Sequence, residues 1–230
     1  ARFLRSAGEL TSFMEEFSSL PLVDPDAEVI TAHFQQLVSD QVNQVKYEGA
    51  TISYTSDRSE SYLSIYPFQT GDGNLMLWAT NFGRDEGGTW KLDFLRYGML
   101  RIAGKDAMQY YGQSIDHLLA GHLIDAALQA DMLAVLYQPI PELWRYRAHL
   151  PMEQHIQKIR DTIDQLYTLP VSLETVPNQP QLLAVYLDNV RGQVLPFVRY
   201  QTTTAIEQTA LIRAEIARVH EAVGELFPGF

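Results

Sequence analysis

The spacing of apolar residues changes twice along this chain, and those changes fix what it can fold into. Up to residue 48 apolar side chains recur three and four apart. From Gly49 to about Ile102 they recur two apart, in runs rich in Tyr, Thr, Trp and Phe. From Lys105 the helical spacing returns. A period of 3.6 marks helices and a period of 2 marks strands. Separate helical and strand blocks define an α+β fold, not an alternating α/β one.

The first block predicts two helices. Phe3, Leu4, Ala7, Leu10, Phe13, Met14, Phe17 and Leu20 form one amphipathic stripe, which Pro21 to Pro25 ends. Asp24 can cap a second helix with Pro25 at its first position. Val29, Ile30, His33, Phe34, Leu37, Val38, Val42 and Val45 would then share a face. The second block predicts four consecutive strands at 50–55, 61–68, 75–82 and 90–102, the last bent near Gly98. Thr70-Gly71-Asp72-Gly73-Asn74 has the composition of a hairpin turn. Hairpin spacing throughout implies one antiparallel sheet with the helices on one face.

Beyond Gly104 the pattern predicts a helical hairpin, 105–119 and 122–137, turning at Ala120-Gly121. The second of these helices is apolar on most sides, which predicts deep burial. A connecting helix at 151–167 follows, then a Pro-rich stretch from Leu169 to Pro180. Strands at 181–187 and 194–203 and a helix at 206–226 complete a small ββα unit. The expected domains are residues 1–104, 105–168 and 169–230.

Charge and composition narrow the function. The net charge is −11 and no segment is basic, which argues against a nucleic-acid partner, since such binding rests on Lys and Arg neutralising phosphates. There is no cysteine, so disulfides, thiolate metal ligands and a cysteine nucleophile are excluded. No apolar run approaches the ~20 residues of a transmembrane helix. The chain lacks Gly-x-Ser-x-Gly, His-Glu-x-x-His and a phosphate-cradling loop.

Few residues suggest chemistry. His33 interrupts an apolar stripe and could act as a pocket base, though a core histidine held by one hydrogen bond is the simpler reading. Asp93, in Trp90-Lys91-Leu92-Asp93-Phe94-Leu95, falls by alternation on the face of Lys91. It could transfer protons if that face lines a cavity; a solvent-facing Asp beside Lys91 is the plainer alternative. Tyr54, Tyr62, Trp78 and Trp90 could line an apolar pocket, or simply pack across strands. His117 and His122 lie five apart across Ala120-Gly121, an interruption that should spoil a shared metal site. His149 and His155 read as isolated and exposed. The loops around Asp72 and Asp85 lack the calcium-loop pattern and read as turns. Neither a metal nor a cofactor is expected.

The two N-terminal stripes, followed by strands whose last opens Gly88-Thr89-Trp90-Lys91-Leu92, resemble the NTF2-like superfamily over residues 1–104. That resemblance implies a curved sheet forming a cone with the helices, either filled or open as a ligand pocket. The short helix that members often carry between strands is not evident here. Tyr110-Tyr111, Leu119-Ala120-Gly121-His122 and Ala126-Ala127 resemble one TPR-like hairpin. The whole layout, closing on Leu226-Phe227-Pro228-Gly229, is similar to uncharacterised bacterial envelope proteins and lipoproteins. The resemblance implies an extracytoplasmic location, periplasmic or lipid-anchored, with a cytoplasmic one as the alternative. The expected function is a non-enzymatic module binding a small apolar ligand or a partner protein, with a homodimer possible. The alternative is an isomerase- or dehydratase-like enzyme in which His33 and Asp93 exchange protons and Tyr54 or Tyr62 polarises the substrate.

Overall fold

The computed structural model describes residues 31–36, 42–47, 49–56, 58, 60–71, 73–190 and 193–227. They form a mixed α and β fold with four helices and three small antiparallel sheets, none closed. The chain divides into two compact units. One holds residues up to Gly104 together with Leu136–His149; the other holds Lys105–Val135 and Leu150–Phe230. The helical hairpin and the ββα segment, read from sequence as separate domains, thus fall in one unit.

In the first unit the strands are β1 (Thr31–Gln36), β2 (Asn43–Tyr47), β3 (Ala50–Tyr54), β4 (Glu60–Gln69), β5 (Leu75–Arg84), β6 (Trp90–Arg101) and β7 (Trp144–Tyr146). They make two sheets, ordered β1-β4-β5-β6 and β2-β3-β7. The meander β4–β5–β6 forms where the alternation predicts it. Gln69 pairs with Leu75 across a turn closed by Thr70 N–H donating to Asn74 O at 2.9 Å. Asn74 Oδ1 also accepts from Ala103 N–H at 2.9 Å, tying the turn to the end of β6. Alternate residues Leu63, Ile65, Leu77 and Ala79 are fully buried on one face.

Two expectations fail here. Residues 31–36 and 43–47 are strands, not the second predicted helix. Pairing decides it: β1 lies against β4, and β2 against β3 through a two-residue turn in which Gly49 takes φ +78°. A backbone that finds a partner strand along its length overrides a helical spacing of short length. The predicted helix over 3–20 lies outside the described residues. The four strands do not make one sheet either, because β3 leaves the meander and pairs with β2 and with β7.

Gly98 sits where β6 meets the segment after residue 136. A Cβ there would collide with the Pro139 carbonyl, so only glycine permits this approach of two backbones.

The second unit contains α1 (Ala107–Leu119), α2 (Leu123–Leu136, through Val135), α3 (His149–Leu166, from Leu150), the short strand β8 (Val171–Ser172), β9 (Gln181–Val190), β10 (Gln193–Gln201) and α4 (Thr209–Leu226). Asp106 caps α1 reciprocally with Gln109, each side chain accepting the other's backbone N–H at 2.9 Å. Gly121 at φ +82° turns the chain into α2. Ala126 and Ala130 of α2 pack with Ile159 of α3, small residues that allow close helix contact. Ile124, Leu128, Leu173, Val176, Leu182, Val219, Ala222, Val223 and Phe227 form the larger core beneath β9–β10.

Candidate functional site

The first unit carries a cleft of about 400 Å³ on the outer face of the β2-β3-β7 sheet. Alternation puts Ala50, Ile52 and Tyr54 of β3 into the core, which turns Thr51 and Ser53 outward. The register then aligns Gln44 with Ser53 and Thr51 with Arg145. The wall is Pro141-Glu142-Leu143, held in place because Ser53 N–H donates to Leu143 O at 2.7 Å. Leu143, Trp144 and Tyr146 also line the cleft and are buried. Arg145 brings a guanidinium to the rim, and no carboxylate among the described residues pairs with it. Glu142 lies 3.6 Å from Arg96.

None of the residues singled out from sequence lines this cleft. Tyr54 is buried in the core, and its burial pushes the phenol up, with the Ser61 hydroxyl pulling the other way. Tyr62 and Trp78 are half-buried on β4 and β5, Trp78 tilted against Phe68 at 5.9 Å between ring centres. Trp90 is exposed at the start of β6.

His33 and Asp93 stand at opposite ends of the four-stranded sheet. His33 of β1 is in register with Leu63, and Leu63 with Asn81. β1 and β6 are three strand spacings apart, roughly 14 Å at ~4.8 Å per strand. Asp93 lies on the face of Gly83, the register partner of Lys91, but Lys91 is not its partner. The β5–β6 register shifts between Asn81 and Phe82, leaving Asp93 as the extra residue of a β-bulge. The bulge turns its carboxylate towards Asn81 Nδ2, which donates at 3.3 Å, and Arg58 Nε, which donates at 3.3 Å. Gly83 leaves room for this pair, since a Cβ there would strike both Arg58 and Asp93. Lys91 instead bridges Asp85 at 2.7 Å, and Asp85 also accepts Thr89 N–H at 2.9 Å. Those two donors hold the Asp85 carboxyl below its ordinary value and account for it as a loop anchor.

The histidines of the second unit depart from expectation as well. The Ala120-Gly121 turn does not separate His117 from His122; it brings them together with Asp125, so that one ligand atom from each lies within 4.8 Å of the others. His117 closes α1 and Asp125 opens α2, placements that each helix dipole favours. His117 Nδ1 is 3.9 Å from Asp125 Oδ2. Burial pushes the Asp125 carboxyl up, with the two imidazoles pulling it down. The sequence does set Asp116 and Asp125 beside the two histidines as supporting acids; the expectation against a site fails because it measured His-to-His spacing along one helix instead of across a tight turn.

His155 is half-buried, not exposed. It lies edge-on to Tyr111 and 2.8 Å from Ser114 Oγ. Ser114 already donates to Ala126 O at 2.7 Å, so its single proton is committed and His155 Nε2 must donate to it. A serine so placed is a helix-to-helix lock, not a nucleophile activated by a base. His149 is buried in the first unit, stacked on Tyr137, and accepts from Gln138 Nε2 at 3.2 Å.

Comparison with protein-family profiles, curated proteins and solved structures finds no match to this chain. No helix among the described residues is long and apolar enough to cross a membrane.

Proposed function

We propose that this chain is a non-enzymatic binding module, and that its first unit takes a small ligand bearing a carboxylate. The observation that carries this reading is the cleft over β2-β3-β7, where Arg145, Gln44, Thr51 and Ser53 converge. Its volume of about 400 Å³ falls in the range of small-molecule sites. A guanidinium with neutral hydroxyl and amide donors around it suits a planar anion. The lining holds no histidine, and its one carboxylate, Glu142, faces Arg96. That composition binds and orients; it offers no base paired with a nucleophile. The apolar ligand expected from sequence is thereby replaced by a polar one.

The test is thermal denaturation of the whole chain with a panel of small carboxylates, matched amines and neutral amides. Carboxylates should raise the melting temperature of the wild type, and Arg145→Ala should abolish the rise while leaving the unliganded melting temperature nearly unchanged. If no carboxylate shifts the wild type, or if Arg145→Ala responds equally, the reading fails.

The superfamily assignment belongs to the same proposal. We read residues 31–104 as an NTF2-like sheet in which paired strands occupy the place of the second helix. The long β6 opening at Trp90-Lys91-Leu92, with a bulge that increases its twist, supports this reading. The envelope location and the TPR-like character of α1–α2 are proposed on sequence layout alone.

A further inference from the structure

The structure assigns a binding site for one divalent transition-metal ion, of the Zn²⁺ class, to His117, His122 and Asp125 in the second unit. The three side chains come from the last turn of α1, the turn at Gly121 and the first turn of α2. Their positions are fixed by backbone bonds: His122 N–H donates to His117 O at 2.9 Å, and Ala126 N–H donates to His122 O at 3.0 Å. The rings of His117 and His122 lie 6.2 Å apart between centres, tilted by 40°.

Two independent observations point to an ion. The first is geometric. Three ligand atoms no more than 4.8 Å apart lie within about 2.8 Å of a common centre. Zinc bonds to imidazole nitrogen and carboxylate oxygen are about 2.0–2.2 Å long, so each atom has to close by less than about 1 Å, within reach of small χ adjustments. The second is a polar atom without a donor. Asp125 Oδ2 is buried and has no hydrogen-bond partner among the described residues. A carboxylate oxygen so placed wants a cation or a donor. The facing His117 Nδ1, at 3.9 Å, is too far for a hydrogen bond.

Ligand chemistry selects the ion. Two imidazoles and one carboxylate suit borderline metals, whereas Mg²⁺ and Ca²⁺ prefer all-oxygen sets. Three protein ligands leave a tetrahedral ion one position for water, and His117, 37% exposed at its side chain, gives access from solvent. The cleft of the first unit contributes no residue to this set, so the two proposals stand or fall separately.

The experiment is calorimetric titration of tag-free, chelator-stripped full chain with ZnCl₂, with MgCl₂ in parallel and CoCl₂ as an optical probe. The expected result is one Zn²⁺ per chain, no heat with Mg²⁺, and the visible absorption of four-coordinate Co²⁺. His122→Ala and the near-isosteric Asp125→Asn should each weaken Zn²⁺ binding at least ~10-fold. His220→Ala, on the exposed side of α4, should bind as the wild type does. Circular dichroism of each variant separates lost binding from lost fold, and a variant that unfolds is replaced by His117→Gln under the same criterion. Absence of saturable one-to-one binding to the wild type overturns the proposal. So does binding that survives both substitutions, or that Mg²⁺ matches.

Discussion

Glu215 is charged in sequence and buried in structure, and its neighbours explain both. The carboxylate accepts Thr204 Oγ1–H at 2.7 Å and Thr202 Oγ1–H at 3.0 Å. Burial works against its charge. The hydroxyls of Thr204 and Thr202, the Asn178 amide and the Tyr200 hydroxyl outweigh that and leave the carboxyl below its ordinary value. A carboxyl whose folded pKa is depressed stabilises the protein above its unfolded pKa, near 4.3, and loses that stabilisation as pH falls through the folded value. Glu215→Gln should therefore cost about 1.5–3 kcal/mol at pH 7, the scale of hydrogen bonds to a charged group. The deficit should shrink as the pH drops below about 4. Urea denaturation of both proteins at pH 7 and pH 3.5 measures it; a deficit independent of pH would contradict the ionised assignment. Apolar spacing alone could not reveal this residue. The helical spacing puts Ile212, Ile216, Val219, Val223 and Leu226 on one face of the C-terminal helix, yet Ile216 and Leu226 are exposed and Glu215, Val219, Ala222 and Val223 are buried.

At the scale of elements, the chain shows which signals survive folding. The meander β4–β6, the hairpin α1–α2 and the β9–β10–α4 segment form where periodicity places them, because their partners are neighbours in sequence. β1, β2 and β7 were illegible. Trp144–Tyr146 is too short to show a period, and β1 and β2 carry a spacing that also fits a helix. The partners of Asp93 were hidden for a related reason: nothing local in Leu92-Asp93-Phe94 announces the bulge that sets it against Asn81 and Arg58. The cleft was equally hidden, since Arg145 and Thr51 meet only through pairing distant in sequence. Gly98 was legible as a bend but not as a contact. Gly98→Ala should destabilise the first unit by about 1–3 kcal/mol, because the added methyl meets a carbonyl that cannot rotate away. Equilibrium denaturation followed by tryptophan fluorescence tests this, and a neutral effect would mean that the Pro139 segment can retreat at no cost.

For the whole molecule, the division into units does not follow the order of the chain. Leu136–His149 belongs with residues up to Gly104 although α1 and most of α2 intervene. It supplies β7 to the β2-β3-β7 sheet and the buried side chains Ile140, Leu143, Trp144 and Tyr146. A fragment ending at Gly104 should thus fail to fold stably, and a peptide spanning 136–149 added in trans should recover structure. Amide-proton dispersion in an NMR spectrum reads both outcomes; a well-dispersed fragment on its own would show that the returning segment is dispensable.

The pairing of β3 with β7 also sets an order of events in a cell. A ribosome delivers Ala50–Tyr54 roughly a hundred residues before Trp144–Tyr146, and contacts closed over such distances form late. Until then one edge of β3 stays bare, and bare edges recruit other chains. Substitutions in Trp144–Tyr146 would therefore act first on how much protein escapes aggregation during synthesis, ahead of any effect on the folded molecule.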